Sequence, residues 1–343
     1  MNCDVTLIAF ISLRGFVANK RKIKNAFPEA IVMRMFPKAR NWRLNRFVLK
    51  RILKRLSPAV IVSRGPFAAN LSLYFRNGRK ICYDGRGAYV AELKEYDVVP
   101  DEKVKREISF LERRAVNESD FRLAVSGKLV EYWKKEFDYR GSDHVVIPCT
   151  LNSATIESSL SSIERLRVRR ELQFAEGKVI VVYAGSTAGW QSLKEKETFI
   201  YLLKSFPQIC LLFLCRNNVV ATTLSSLFPE RVKVKWVEPS EVHDVLKGCD
   251  YGWLVRENSI TNNVASPVKF AEYLNAGLKV IISAQLGDLS EFIVRHQAGI
   301  QLGQQDQSYF PPLSEEERNR MRELSREYFL KERYFESYRE LLA

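Results

Sequence analysis

Short apolar runs alternate along the chain with longer stretches of helical periodicity. In the first half, residues 5–11, 59–63, 80–83, 121–125 and 145–147 read as strands, and 127–137 reads as a helix between the last two. Three of these strands stop at a breaker: Leu13-Arg14-Gly15 after the first, Asp84-Gly85-Arg86-Gly87 after the third, Pro148 after the fifth. An Arg-rich helix is predicted over 158–173, and the alternation then restarts. The strand read over 178–184 is an unbroken apolar run after Lys178, as expected of a parallel strand covered on both faces. Runs at 209–215, 232–237, 251–255 and 279–283 repeat it, with helical stretches near 194–205, 240–248, 267–276 and 288–295. From Ser314 onward the chain becomes a polar helical tail. Strands interleaved with helices predict an α/β fold of two Rossmann-like, doubly wound domains whose strand ends face a cleft. The small polar residues 150–157 mark the link. The expected division is 1–150, then 151–320, with 321–343 a C-terminal helix crossing back to the first domain.

Length agrees with this: 343 residues exceed one ordinary core. A hydrophobic share of 46% excludes a disordered chain. No apolar run reaches the ~18 residues of a membrane span. The apolar start, 3–13, has no basic segment before it and reads as a buried strand, so a cytoplasmic location is expected. The cysteines at 3, 82, 149, 210, 215 and 249 form no C-x-x-C pair, and no histidine stands at ligand spacing. They read as small buried hydrophobes in a reducing compartment, with no metal site. Charge adds more. The net +14 lies wholly in 1–150, which holds 30 basic and 16 acidic residues; 151–343 is balanced at 24 and 24. The first half should therefore meet an anionic partner.

Candidate chemistry in the second half begins at Gly185-Ser186, directly after an apolar run. Glycine lets a ligand approach the backbone, although many strand-to-helix turns carry Gly and Ser for geometry alone. After the run at 251–255 come Arg256, Asn262, Asn263 and Ser266, then Pro267 as the expected first residue of a helix with Ser266 as its N-cap. A helix N-terminus attracts phosphate. Lys269 adds a full positive charge, and Glu272, three residues on, shares its face. Amides, a cation and then a carboxylate match a diphosphate followed by a ribose. A capped helix with a Lys269–Glu272 surface ion pair matches the same residues.

The run from Ser266 through Glu272-Tyr273 and Gly277 to Ile281 resembles the donor-site segment of the GT-B glycosyltransferases, above all the retaining family 4. Val125-Ser126, the stretch Val146-Ile-Pro-Cys-Thr-Leu151 and the helix ending at Asp250 are similar to further parts of that family. The resemblance implies a nucleoside-diphosphate sugar as donor, with Lys269 on the diphosphate and Glu272 on the ribose. It also implies donor binding without a metal or other cofactor. Val264 stands where the family usually has a second glutamate, and no basic pair follows Gly185; Arg256 or Arg216 would substitute.

The first half supplies acceptor candidates. Arg64, Asp84 and Arg86 end two strands, and Arg14-Gly15 ends another. Asp84 would orient or deprotonate an acceptor hydroxyl and Arg86 would hold an acceptor phosphate; an Asp–Arg pair in a turn is the plain alternative. Residues 34–55 carry Arg34, Lys38, Arg40, Arg43, Arg46, Lys50, Arg51, Lys54 and Arg55 without one acid. They read as a cationic amphipathic helix with 44, 48, 52 and 56 on its apolar face, suited to an anionic membrane. The expected function is transfer of a sugar to a glycan or polyprenyl-linked acceptor at the inner face of the membrane, in bacterial surface polysaccharide or glycolipid synthesis. Asp84, Arg256 and Lys269 are the candidate catalytic residues. A nucleotide-sugar epimerase of the same architecture is the enzyme alternative. A basic nucleic-acid-binding protein is the other, though no nucleic-acid motif accompanies the cations.

Overall fold

The structure is a computed structural model, and it describes residues 4–36, 39–97, 101–155, 162–185, 196–216, 218–302 and 310–342. The chain divides into two compact units. Unit 1 comprises Met1–Ala124, Tyr132–Val145 and Ser337–Ala343; unit 2 comprises Val125–Glu131 and Val146–Glu336.

Unit 1 begins with β1 (Ile8–Ile11), α1 (Phe16–Ala26) and β2 (Ile31–Arg34), and the two strands pair in parallel as a small sheet of their own. A 3₁₀ helix, Ala39–Leu44, leads into α2 (Asn45–Leu56). There follow β3 (Val60–Arg64), α3 (Gly65–Leu73), β4 (Lys80–Gly85), α4 (Tyr89–Tyr96), α5 (Glu102–Glu118), β5 (Phe121–Ala124), α6 (Gly127–Phe137), whose residues up to Glu131 group with unit 2, and β6 (His144–Val146). The second sheet has the order β3-β4-β5-β6, with β3, β4 and β5 parallel. Register sets Arg64 opposite Asp84. Gly85 is needed where it stands, since a Cβ there would lie 2.4 Å from the buried Trp133 ring. The start of α4 is tied down by Glu112, whose buried carboxylate accepts from the amides of Tyr89 (3.1 Å) and Val90 (2.8 Å). Burial pushes the Glu112 carboxyl up to about 8, against the pull of those amides.

The stretch expected as one cationic helix over 34–55 is three elements instead. Arg34 ends β2, because Ile31, Val32 and Met33 pair with β1 in extended form. The helix α2 starts only at Asn45. That buried side chain accepts from Phe36 N (3.1 Å) and donates to Trp42 O (2.8 Å), so it pins the turn. The buried stripe is Trp42, Asn45, Leu49 and Leu53 rather than 44, 48, 52 and 56; Leu44 and Leu56 are exposed. Lys38 lies outside the described residues.

Unit 2 contains α7 (Ser162–Glu171), β7 (Val179–Ala184), α8 (Lys196–Ser205), β8 (Ile209–Leu214), α9 (Val219–Leu227), β9 (Val232–Lys235) and α10 (Val242–Leu246). Then come β10 (Tyr251–Leu254), α11 (Ile260–Asn263), α12 (Val268–Asn275), β11 (Lys279–Ser283), α13 (Gly287–His296), β12 (Gly299–Leu302) and α14 (Glu315–Phe329). The parallel sheet has the order β12-β11-β10-β7-β8-β9. Every residue of β7 and β8 is buried, as their unbroken apolar runs predict. Asp250, just before β10, is a second anchor. It accepts from Ile180 N (2.8 Å) and Arg169 Nη1 (3.0 Å) and pairs with the fully buried Arg318 of α14.

The polar tail also differs from expectation. Met321, Leu324 and Phe329 of α14 join the core beside α12, so this helix belongs to unit 2. Only Ser337–Ala343, within the final helix α15 (Phe335–Leu342) and just past it, groups with unit 1. No helix among the described residues is long and apolar enough to cross a membrane.

Candidate functional site

The sheet of unit 2 fixes where a ligand should sit. From β7 the chain winds outward through β8 and β9, then returns to the other side of β7 for β10, β11 and β12. The reversal falls between β7 and β10, and open parallel sheets bind ligands beyond the carboxyl ends of their strands at such a reversal. The two strands part there: β10 pairs with β7 only at Tyr251–Val181 and Gly252–Val182. The amide of Ala184, at the end of β7, donates instead to the Tyr273 hydroxyl (3.0 Å). Tyr273 is fully buried on α12, and its ring lies where a Cβ on Gly252 would come within 2.2 Å. One phenol thus fills the parting of the strands and registers α12 against the end of β7. Nothing in the hydrophobic pattern distinguishes this tyrosine from an ordinary core residue; only its hydroxyl hints that a buried donor awaits it.

Around this parting the candidate residues take distinct roles. Gly185 directly follows β7 and donates to Leu214 O (3.3 Å). Ser186 lies outside the described residues. Beyond β10, the backbone of Arg256 donates to Ser283 Oγ (3.2 Å), and its guanidinium lies 3.4 Å from Asn262 Oδ1. Burial pushes the Tyr183 phenol up, and the charge of Arg256 partly counters it. Asn262 is buried and also donates to Glu257 O (3.2 Å), so it shapes the loop from within. Asn263 is exposed, and its carbonyl lies where a Cβ on Gly287 would come within 2.5 Å.

The helix boundary shifts by one residue from expectation. Helix α12 starts at Val268 with Pro267 as its N-cap and no side-chain cap. Ser266 is buried, and its hydroxyl accepts from Cys149 N (3.1 Å), so it braces the loop and does not cap the helix. Phe270, Ala271, Tyr273 and Leu274 face the core, which leaves Lys269 and Glu272 on the outer side. Lys269 Nζ lies 2.7 Å from Glu272 Oε2, yet that buried oxygen has no aligned hydrogen-bond donor. Val264, in the place of a family glutamate, is buried, and its carbonyl accepts from Ser126 Oγ (2.7 Å). The result is an uncapped helix N-terminus followed by a paired cation and carboxylate along one face.

In unit 1 the structure brings Arg64, Asp84 and Arg86 together. Arg64 Nε donates to Asp84 Oδ2 (3.0 Å), and Arg86 Nε lies 2.8 Å from Asp84 Oδ1. Asp84 is buried. With a guanidinium on each oxygen, Asp84 is placed to orient the two arginines. Arg14 and Gly15 are not part of this group: they follow β1, in the separate small sheet, and Gly15 turns the chain into α1 with φ of 70°.

No protein-family model and no curated protein sequence matches the chain. Solved structures do match. A glycosyltransferase from Rickettsia africae is similar over 99% of both chains, at 13% identity and a TM-score of 0.69. Anabaena HepE in complex with UDP is similar over 99% of both chains, at 12% identity and 0.67. Sucrose-phosphate synthase from Thermosynechococcus elongatus is similar over 92% of this chain and 84% of its own, at 14% identity and 0.66. The likeness runs through both units, and the fold is that of the GT-B glycosyltransferases.

Proposed function

We propose that the chain is a glycosyltransferase that moves a sugar from a nucleoside-diphosphate donor to a glycan or polyprenyl-linked acceptor. The donor occupies unit 2 and the acceptor unit 1. One observation carries this reading: α12 begins without a side-chain cap next to the parting of β7 and β10, and its outer face then carries Lys269 and Glu272, paired at 2.7 Å. Diphosphate oxygens meet the amides and Lys269, and a ribose hydroxyl donates to Glu272. In transfer, the bond from the anomeric carbon to the diphosphate oxygen breaks, and an acceptor oxygen forms the new bond and gives up its proton. Negative charge grows on the departing diphosphate, and Lys269 and Arg256 are the cations placed to stabilise it. The UDP in the HepE structure makes uridine the first base to try.

A thermal-shift screen of nucleotide sugars tests the donor half. A ligand at 100 times its dissociation constant adds ~2.7 kcal/mol, so a true donor raises the melting temperature clearly. The acceptor half is tested by product formation. A transferase makes product only when a glycan or lipid acceptor is added; rearranged or released sugar without acceptor would favour the epimerase reading, and no response to any nucleotide sugar would sink both.

The basic character of unit 1 supports action at an anionic membrane, as in surface polysaccharide or glycolipid synthesis. Helix α1 holds no buried residue and no acid, with Val17 79% exposed beside Lys20, Arg21, Lys22 and Lys24. The outer face of α2 sets the exposed Phe47 among Arg46, Lys50, Arg51 and Lys54, with Arg46 stacked 4.9 Å from the Phe47 ring. Apolar tips among cations that make no ion pair with the described residues suit an interface of anionic headgroups, each cation there contributing ~1 kcal/mol. Flotation with phosphatidylglycerol vesicles should carry the protein upward at low salt. Glutamate at Lys50, Arg51 and Lys54 should abolish that, and wild-type protein left at the bottom of the gradient would refute membrane docking.

A further inference from the structure

We propose that Arg64 and Arg86, each held on one oxygen of Asp84, form a receptor for the phosphate of a phosphorylated saccharide whose sugar ring fills the adjoining cavity. Calling this ligand the acceptor rests on the transferase reading; the receptor itself rests on the following geometry. One arginine would neutralise Asp84, and a second leaves a surplus positive charge. Asp84 is the one acid paired with either guanidinium among the described residues. Both arginines engage it through Nε, and no ion pair of their Nη groups is seen among the described residues, so those groups can meet another anion. Asp84 is only 4% exposed while the Arg64 side chain is 70% exposed, so the carboxylate is the fixed post and the guanidinium is the accessible arm.

Two further features favour negative charge in the same place. Arg64 and Asp84 stand at the carboxyl ends of adjacent parallel strands, and α3 starts at Gly65 with its amide end beside Arg64. Gly65 has φ of 80°, and a Cβ there would come within 2.9 Å of the Tyr89 hydroxyl, so glycine lets α3 begin hard against α4.

The cavity beside Arg64 has a volume of about 310 Å³. Pro66, Phe67, Tyr89 and Leu93 give it an apolar and aromatic wall, and Arg64 and Glu92 are its charged groups. A pyranose presents the same division, with C–H faces that lie on aromatic rings and hydroxyls that bond to charged side chains. Glu92 repels a phosphate, so the phosphate belongs on the Arg64–Arg86 side and the ring on the Glu92 side. The substrate class that fits is a hexose phosphate, free or esterified to a lipid.

Calorimetric titration of the full chain at low ionic strength tests this, using inorganic pyrophosphate and a panel of hexose 1-phosphates. All variants carry Lys269→Ala, which removes the main attraction for diphosphate in unit 2. Arg64→Ala and Arg86→Ala, tested separately so that Asp84 keeps one partner, should each weaken pyrophosphate binding about tenfold. Arg64 is exposed enough for its loss to leave the fold intact. At least one hexose 1-phosphate should bind more tightly than inorganic phosphate and more tightly than the free hexose. Unchanged pyrophosphate affinity in both variants overturns the receptor, and a panel in which no hexose 1-phosphate exceeds inorganic phosphate overturns the saccharide. Competition separates the two sources: a polyprenyl-phosphate hexose in micelles displaces pyrophosphate if the ester is a lipid, and hexose 1-phosphate does so if it is free. UDP binding to the chain with wild-type Lys269 is measured in parallel. If it is absent while pyrophosphate binding still depends on Arg64, the receptor stands and the transferase reading falls.

Discussion

Asp250→Ala is expected to destabilise unit 2 by ~3–5 kcal/mol, the cost of removing one partner from a buried ion pair. The Asp250 carboxylate is 1% exposed and serves three donors from three elements: the Ile180 amide at β7, Arg169 of α7 and Arg318 of α14. Arg318 is wholly buried. Burial pulls its guanidinium down and Asp250 is the main charge that opposes this. Without Asp250 a cation remains in the core with the Cys249 carbonyl as a neutral acceptor, and the Ile180 amide loses a bond. Asp250→Asn keeps one acceptor oxygen and should cost less. The urea unfolding midpoint of the unit 2 transition reads this directly. A shift corresponding to less than about 0.5 kcal/mol, the scale of an ordinary surface substitution, would show that the network does not hold α7 and α14 to the sheet.

Lys269→Ala and Glu272→Ala should each lower kcat/KM for donor by about 10- to 100-fold with the fold intact. Hydrogen bonds to charged groups contribute ~1.5–3 kcal/mol, and both side chains lie on the outer face of α12, where truncation leaves the core untouched. In the structure the two pair with each other, and such a partly exposed pair is worth only ~0–1 kcal/mol. Their removal should therefore scarcely change stability while it changes turnover, and circular dichroism melting beside steady-state kinetics checks both. The two losses should differ in kind. Under the proposed roles, with Lys269 on charge that grows as the diphosphate leaves and Glu272 on a ribose that does not change, loss of Lys269 should lower kcat and loss of Glu272 should chiefly raise KM.

What the sequence reveals follows from what each residue's partner is. The strands β7 and β8 were legible because burial on both faces demands an unbroken apolar run. Lys269 and Glu272 were legible because helical spacing alone places them on one face. The 34–55 segment misled because its periodic cations outweigh the short apolar run at Ile31, whose strand partner lies at Ile8. Ser266 looked like an N-cap, but its hydroxyl is taken by the amide of Cys149, 117 positions earlier in the chain. Tyr273 on Ala184 and Asp84 between two arginines are likewise long-range pairings that no local pattern encodes. The same holds for α14, whose Met321, Leu324 and Phe329 find their partners on α12.

The central claim is that unit 2 grips a nucleoside diphosphate with Lys269 on phosphate and Glu272 on ribose. Calorimetric titration of UDP against 2′,3′-dideoxy-UDP, with the guanosine pair as the second base, tests it most directly in wild type, Lys269→Ala and Glu272→Ala. The wild type should favour the ribose form about tenfold or more. Lys269→Ala should bind both forms more weakly and keep the preference; Glu272→Ala should bind the ribose form more weakly and lose it. Equal affinity for ribose and dideoxyribose in the wild type, or unchanged affinities in both variants, would contradict the assignment.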